Sequence, residues 1–448
     1  MISISKLYCG ARSESDGLRY GHGGQGPAVN AGAPPASKTA AARRPVTVWN
    51  ITRTCNLRCI HCYTDSEAKK YGGELTTEEG QALIRDLADF QIPALLFSGG
   101  EPLARPDLFD LVAYARSLGI RPTLSTNGTL ITAETARGIK DAGFTYVGIS
   151  LDGIGAVNDR FRGMAGAFDR AVRGFKACVA VGQRVGLRLT LTRHNFANLH
   201  GIFDFIEREQ IDRACFYHLV YSGRGGQIAG DDLSRKETRR ALDIILERTE
   251  DFHRRGLNKE ILTVDNHVDG IYLYMKLLAK DPVRAEQVLK LLTWNGGGMY
   301  SSGVGIADID FLGNVHADQF WMHHAFGNVR RRPFGEIWTD TSDPLMAGLK
   351  NRRDKVKGRC APGICKWFDA CGGAMRVRAD LVYNDPWAPE PACYLTDEEI
   401  GFTPEKQALV KARGEDFLMP EFSRPPQTPP LQVPDVPPPT PCTGGAEA

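Results

Sequence analysis

The chain has no apolar run long enough to cross a bilayer, which excludes a helical membrane span. Its first residues, Met1-Ile2-Ser3-Ile4-Ser5-Lys6, lack a basic stretch followed by a long apolar one, so no secretory signal is evident. Neither charge sign is in excess: 55 Lys and Arg stand against 53 Asp and Glu, a net charge of +2. A polyanion such as DNA is therefore not expected as the main partner. The Gly-rich run Trp294–Tyr300 lacks the G-x-x-x-x-G-K-S/T pattern, so it is not a phosphate-binding P-loop. What is present is the composition of a globular protein, 42% hydrophobic and 24% charged, in 448 residues, room for two or three domains.

Cysteine is the exception to this plainness. Of eleven, seven fall in two groups: Cys55, Cys59, Cys62, and Cys360, Cys365, Cys371, Cys393. Cys9, Cys178, Cys215 and Cys442 are scattered. A disulfide framework is not expected in a chain this long with no export signal. Grouped cysteines in a reducing compartment read as metal ligands, and a cytoplasmic location is the expectation.

The first group has C-x3-C-x2-C spacing and follows Val46–Thr52, an alternating stretch rich in β-branched residues. The cysteines therefore lie on a loop leaving a strand. Three thiolates on one short loop can hold three irons of a 4Fe–4S cluster and leave the fourth iron open to another molecule. The alternative is zinc, which favours four ligands and C-x2-C pairs and would need His61 or a distant group as its fourth.

With Tyr63 after the third cysteine, this stretch resembles the radical S-adenosylmethionine (SAM) enzymes. The resemblance implies that SAM chelates the open iron and is cleaved to a 5′-deoxyadenosyl radical that abstracts hydrogen from a substrate. Strand-like runs at 46–52, 94–98, 121–125, 146–151, 185–192 and 214–221 alternate with helical patterns. Thr76 and Glu79 form a capping-box signature ahead of the first helix. Six β–α units imply a parallel sheet with right-handed crossovers. The fold class expected is α/β, a partial (βα)6 TIM-like barrel with a smaller C-terminal iron–sulfur domain. Ligands should bind at the carboxyl ends of the strands.

At those ends lie the other motifs. Ser98-Gly99-Gly100-Glu101-Pro102 ends the second strand; its glycines permit close backbone approach, although Gly-Gly and Glu-Pro are also plain turn chemistry. The resemblance implies that Gly99, Gly100 and Glu101 bind the amino group of SAM, that Tyr63 and Asn127 face SAM, and that Ser150, Asp152 and Arg162 contact its ribose and carboxylate. Asn195, after the fifth strand, is a further candidate for the adenosyl group. A guanidinium can grip a carboxylate with two hydrogen bonds; the alternative for Arg162 is an ion pair with Asp159. Tyr217 and His218 precede a Gly-rich segment, Ser222-Gly223-Arg224-Gly225-Gly226, and are substrate-side candidates. The run at 294–300 is read as a close-approach loop near substrate.

Val304–Ile309 and Asn314–Ala317 flank Asp310-Phe311-Leu312-Gly313 as a hairpin. With the second cysteine group, this order resembles the SPASM or twitch domain of the same family, which carries auxiliary clusters. Cys360, Cys365, Cys371 and Cys393 would ligate one auxiliary 4Fe–4S cluster or, alternatively, a structural zinc. No cysteine follows the hairpin; His316, Asp318, His323 and His324 stand in that neighbourhood. The expected organisation is a disordered leader over 1–44, a core over 45–232, a helical linker over 233–302, the auxiliary-cluster domain over 303–400, and a mostly disordered, Pro-rich tail over 401–448.

Between about Val46 and Gly401 the chain most resembles the tetrapyrrole-modifying group. The marks are Trp49-Asn50-Ile51-Thr52-Arg53-Thr54-Cys55, Tyr221-Ser222-Gly223-Arg224-Gly225 and the four late cysteines. That resemblance implies action on 12,18-didecarboxysirohaem, with removal of propionate side chains towards haem d1 preferred over removal of acetates. It also implies an electron donor such as flavodoxin or ferredoxin. Arg224, Tyr217, Trp294, Tyr300 and the 316–324 segment supply the arginine, aromatic and iron-ligand types such a substrate would need. The rivals are a peptide-modifying maturase and, from another class, a non-catalytic iron–sulfur carrier.

Overall fold

The computed structural model describes residues 1–13, 16–20 and 43–419. Among the described residues eleven strands form one sheet: β1 (Ile2–Ser3), β2 (Val46–Thr52), β3 (Leu95–Gly99), β4 (Pro122–Thr126), β5 (Tyr146–Ser150), β6 (Val185–Leu191), β7 (Arg213–His218), β8 (Glu260–Val264), β9 (Ile306–Ile309), β10 (Asn314–His316) and β11 (Gly327–Asn328). Their order is β1-β8-β7-β6-β5-β4-β3-β2-β9-β10-β11. Strands β2 to β8 run parallel in chain order, which requires a crossover after each. This is the expected partial barrel.

The helices of the crossovers cover the outer face. The helix Thr77–Asp89 starts at the expected capping box, Thr76 with Glu79, and buries Leu83, Ile84 and Leu87. Each such fully buried aliphatic side chain contributes about 1.5–3 kcal/mol. Along β2, Trp49 and Ile51 belong to the outer core with Phe97 and Leu124. Alternation turns Val48 and Asn50 to the barrel interior. The interior is consequently lined by smaller and polar side chains at the strand ends, which is what leaves space there.

Three expectations about organisation need correction. Residues 1–13 are ordered: Ile2 and Ser3 pair antiparallel with Thr263 and Leu262, and Ile2, Ile4 and Leu7 are buried. Residues 21–42 and 420–448, with His22 and Cys442, lie outside the described residues. The 233–302 region is not only helical. Between the helices Arg235–Arg254 and Val268–Leu278 it supplies β8, a seventh parallel strand buried along its whole length. In the tail, Pro404–Ala412 is a helix that buries Val410 against Ala361 and Ile364.

The hairpin β9–β10 is where the sequence places it, with β9 parallel to β2 and β10 and β11 beyond it. The C-terminal segment is tied to the barrel mouth by a buried arginine that an ion pair within the segment holds in place. Arg378 and Glu390 lie 2.8 Å apart, and Arg378 also donates to the carbonyls of Leu219 (3.2 Å) and Asp265.

Candidate functional site

Strand β2 ends in an irregularity. Its pairing with β3 shifts between Asn50 and Thr52, and such bulges re-aim the chain beyond them. The cysteine loop starts there. Gly99 and Gly100 cradle that backbone: a Cβ on Gly99 would lie 2.4 Å from Thr52 O, and one on Gly100 2.2 Å from Thr54 O. The Gly100 and Glu101 N–H groups donate to those carbonyls at 2.7 and 2.9 Å. The glycine pair thus approaches the protein's own backbone and sets where the cysteine loop begins.

Arg224 closes the loop from the other side. Its Nε donates to Cys59 O (2.8 Å), its Nη2 to Ser66 O (3.0 Å), and its Nη1 pairs with Asp65 (2.6 Å). It is thereby committed to the loop and not to a substrate, contrary to the expectation. The Gly223 N-terminal to it sits against the carbonyls of Cys62 and Tyr63, where a side chain would not fit.

Burial raises the pKa of the Cys55 and Cys59 thiols, and neighbouring thiols raise it further; Arg162 opposes this at Cys59. Donors are nevertheless aimed at both sulfurs: Leu57 N–H at Cys55 Sγ (3.4 Å), Asn127 Nδ2 at Cys55 Sγ (3.9 Å), and Arg162 Nη1 at Cys59 Sγ (3.6 Å). Buried sulfur ringed by donors suits thiolate held by a cationic group, so the loop fits an iron–sulfur cluster. Among the described residues, no three His, Cys, Asp or Glu side chains close around one metal ion.

The remaining predicted residues divide. Glu101 is fully buried and accepts from Thr126 Oγ1 (2.7 Å), Asn127 N–H (2.8 Å) and Leu103 N–H (3.1 Å). Burial raises its pKa, and those three donors oppose the shift. It positions the Thr126–Asn127 turn, and Asn127 in turn reaches Asn56 (2.9 Å) and Cys55. Arg162 pairs with Asp152, whose Oδ1 accepts from Thr190 N–H (2.6 Å). Asp159 instead caps the next helix through Gly166 and Phe168 N–H, so the Arg162–Asp159 ion pair is not formed. Tyr63 OH bonds Asn50 (3.0 Å) and Ser98 (3.1 Å). Asn195 is not brought to the site. Its amide is consumed by Thr192 N–H, Asp152 O and Thr190 O, a buried capping box.

These elements surround a cavity of about 130 Å³ at the carboxyl ends of the strands. His61, Tyr63, Ser98, Ser125, Ser150, Arg162, Thr190, Tyr217 and His218 line it, with Gln319 and Phe320 of the C-terminal segment. Burial pushes the His61 pKa down to about 4, so its imidazole is neutral at pH 7. His218 Nε2 lies 2.8 Å from Asp269, which also accepts from Tyr394 OH (2.8 Å). Of the expected 316–324 segment, His316 is buried against Asp310, while His323 and His324 pair with Asp380 and Asp343; none of these histidines lines the cavity. Arg188 and Asp265 are among the lining residues that went unread in the sequence. The signal for Arg188 was present: in Leu187-Arg188-Leu189-Thr190-Leu191 it shares a face with Thr190, opposite three leucines.

The second cysteine group gathers beneath the C-terminal segment. Cys360, Cys365, Cys371 and Cys393 are distributed over short turns, and each has a pKa raised first by burial, to about 12 for Cys365 and about 11 for Cys393. The thiols of this group also raise one another, which places them within electrostatic reach. The Gly-rich run at 294–300 serves this group, not the cavity. A Cβ on Gly297 would lie 2.5 Å from Cys371 O, and one on Gly372 2.4 Å from Met299 N.

Comparison with known proteins agrees with this geometry. Residues 49–206 match the Radical SAM superfamily. The chain is 55% identical over 405 residues to Fe-coproporphyrin III synthase of Methanosarcina barkeri, covering 90% of this chain and 99% of the relative. It is 43% identical over 361 residues to pre-heme d1 synthase of Dinoroseobacter shibae, covering 80% and 88%. A solved structure, native anSMEcpe with bound AdoMet, shares the fold at a TM-score of 0.62 and 19% identity, over 82% of this chain and 100% of that one.

Proposed function

The chain belongs to the radical SAM superfamily, and we propose that it removes side chains from an iron tetrapyrrole, 12,18-didecarboxysirohaem. Of the two tetrapyrrole readings, loss of acetate side chains to give Fe-coproporphyrin III is favoured over propionate loss towards haem d1. The observation that carries this is the 55% identity to Fe-coproporphyrin III synthase across 99% of that relative, against 43% across 88% for pre-heme d1 synthase.

In this reading Cys55, Cys59 and Cys62 hold a 4Fe–4S cluster that binds SAM, and together these supply a 5′-deoxyadenosyl radical. The protein's own part is placement. Glu101 orients Asn127 at the edge of the cysteine loop. Arg162 faces the cavity and the Cys59 sulfur, where a guanidinium suits the SAM carboxylate. Ser150 lies beside it as a hydroxyl partner for ribose. Tyr63 is pinned by Asn50 and Ser98 and packs edge-on against Phe320, closing the cavity towards the C-terminal segment. Excluding stray hydrogen donors is what a radical site needs from such closure.

Cys360, Cys365, Cys371 and Cys393 would hold a second cluster, the four-thiolate complement of a fully ligated 4Fe–4S site. Residues 303–400 form the SPASM- or twitch-like unit in this reading, and a small flavodoxin or ferredoxin would supply electrons. Among the described residues no helix is long and apolar enough to cross a membrane.

The test is anaerobic incubation with SAM, a reductant and didecarboxysirohaem, followed by product mass. Loss of two acetate units is expected. Loss of propionate would move the chain to the haem d1 reaction. Absence of 5′-deoxyadenosine would make it an iron–sulfur carrier, and turnover of a peptide alone would make it a maturase.

A further inference from the structure

Two guanidinium groups line the cavity, and they are not equivalent. Arg162 is neutralised by Asp152. Arg188 is held only by neutral oxygens: its Nε donates to Tyr217 OH (2.8 Å) and its Nη1 to Ser125 Oγ (2.5 Å). Among the described residues, no carboxylate pairs with it. Its remaining N–H groups have no protein acceptor among those residues, although a guanidinium carries five such donors.

The fold makes room for this group. Arg188 sits on β6 beside Ser150 of β5, and two residues along β5 lies Gly148. A Cβ on Gly148 would fall 2.5 Å from Arg188 Cδ. The glycine lets the arginine stem lie across the barrel interior, and Tyr217 stacks near it with the guanidinium carbon 5.0 Å from the ring centroid. Along β6, Arg188 precedes Thr190 by two residues, so it is set one pleat deeper than Thr190 and level with Ser150. Val48 and Leu96 supply apolar wall.

Arg188 is half-buried, and a charge partly withdrawn from water with no carboxylate paired to it is better served when an anion completes the site. We propose that Arg188 is the specificity-determining residue that receives a side-chain carboxylate of the substrate in the barrel interior. The assignment rests on the tetrapyrrole reading above. A carboxylate arm reaching in from the mouth would meet a guanidinium fixed at two corners and free along the rest of its fork, while its methylenes pack on Val48 and Leu96. A site built for an anion also rejects an analogue lacking it, because the arginine would stay unpaired. That arrangement selects substrates by the carboxylates they still carry.

The experiment titrates wild type, Arg188→Met and Arg188→Lys with didecarboxysirohaem and with its fully esterified form, and measures SAM affinity beside them. Arg188→Met should weaken binding of the free acid at least tenfold and leave binding of the ester within twofold of wild type. Arg188→Lys should lie between. SAM affinity should stay within twofold in both variants, which also reports an intact barrel. Equal losses for acid and ester, or unchanged binding of the acid, would overturn the assignment alone. A fall in SAM affinity would assign Arg188 to the SAM carboxylate instead. Failure of the wild type to bind either tetrapyrrole would sink the substrate reading and this assignment with it.

Discussion

Replacing Arg224 with Ala separates two roles that the sequence left open. The structure gives this side chain three bonds, all to the cysteine loop. Two end on buried backbone carbonyls, Cys59 O and Ser66 O. A hydrogen bond from a charged donor contributes about 1.5–3 kcal/mol, so the pair together is worth about 3–6 kcal/mol. The third bond goes to Asp65, whose side chain is 54% exposed, and contributes little. Taking the lower figure, about 3 kcal/mol of local stability is lost, roughly a hundredfold in the opening equilibrium of the loop. Hydrogen exchange reads this directly at the Cys55 and Ile60 amides, which bond Glu67 O and Phe161 O at 3.0 Å. Iron retained after anaerobic reconstitution should fall with them. If exchange and iron content match wild type while tetrapyrrole binding alone weakens, the loop-clamp reasoning is wrong and Arg224 is a substrate anchor.

Reconstituted wild type should carry about eight irons per chain, and the triple Cys55, Cys59, Cys62→Ala variant should lose about half of them and all SAM cleavage. About four irons with zinc in the wild type would refute the second cluster. Cys365→Ala with Cys371→Ala should leave SAM cleavage measurable by 5′-deoxyadenosine yield and abolish tetrapyrrole conversion; normal conversion would make that cluster dispensable. Glu101→Gln places an amide donor among three donors and should lower SAM affinity at least tenfold, measured by calorimetry, since bonds to a charged acceptor contribute about 1.5–3 kcal/mol; unchanged affinity would remove Glu101 from the positioning of Asn127. Burial raises the Asp265 pKa to about 6 from an ordinary value of 3.8, against the pull of Arg378. A raised folded-state pKa contributes stability below pH 3.8 that is lost as pH rises through 6. In anaerobic urea titrations, Asp265→Asn should therefore gain on wild type between pH 4 and 7, and a constant difference would contradict the shift.

The barrel was legible because each strand carries its own periodicity and each crossover its own apolar stripe. Val46–Thr52 begins and ends where the sequence puts it, and the first crossover helix starts at the capping box the sequence shows. Strand β8 was not legible, because Glu260–Val264 is five residues buried on both faces and so shows no alternation. Ile2 and Ser3 become a strand only because β8 offers a free edge, a fact outside their local sequence. At the site, residue types were readable and their obligations were not. Arg224, Glu101 and Asn195 all carry chemistry suited to a ligand, yet the fold spends each on backbone groups. Arg188 is the converse. Its neighbours are hydroxyls, which only the packing of β4, β6 and β7 brings together.

That contrast gives a rule for reading the cavity. A polar side chain whose hydrogen-bonding capacity is met by the protein shapes the site; one left with spare capacity, facing the space, is available to a ligand. By this measure Arg224 and Asn195 shape, and Arg188 and Ser150 receive. The same measure explains why the C-terminal segment belongs to the site without reaching far into it. Gln319 and Phe320 touch the cavity. The grip, however, is exerted further back, where Arg378, itself satisfied by Glu390, holds the Leu219 and Asp265 carbonyls at the ends of β7 and β8. Arg378 and Glu390 both belong to the C-terminal segment, so what crosses to the barrel is the pair of hydrogen bonds from the guanidinium to those two carbonyls, each worth about 1.5–3 kcal/mol for a charged donor. The chain from Tyr394 through Asp269 to His218 runs alongside. It joins the residue next to Cys393 to the cavity wall. Cavity and second cysteine group are therefore joined by a continuous run of buried hydrogen bonds as well as by the chain itself.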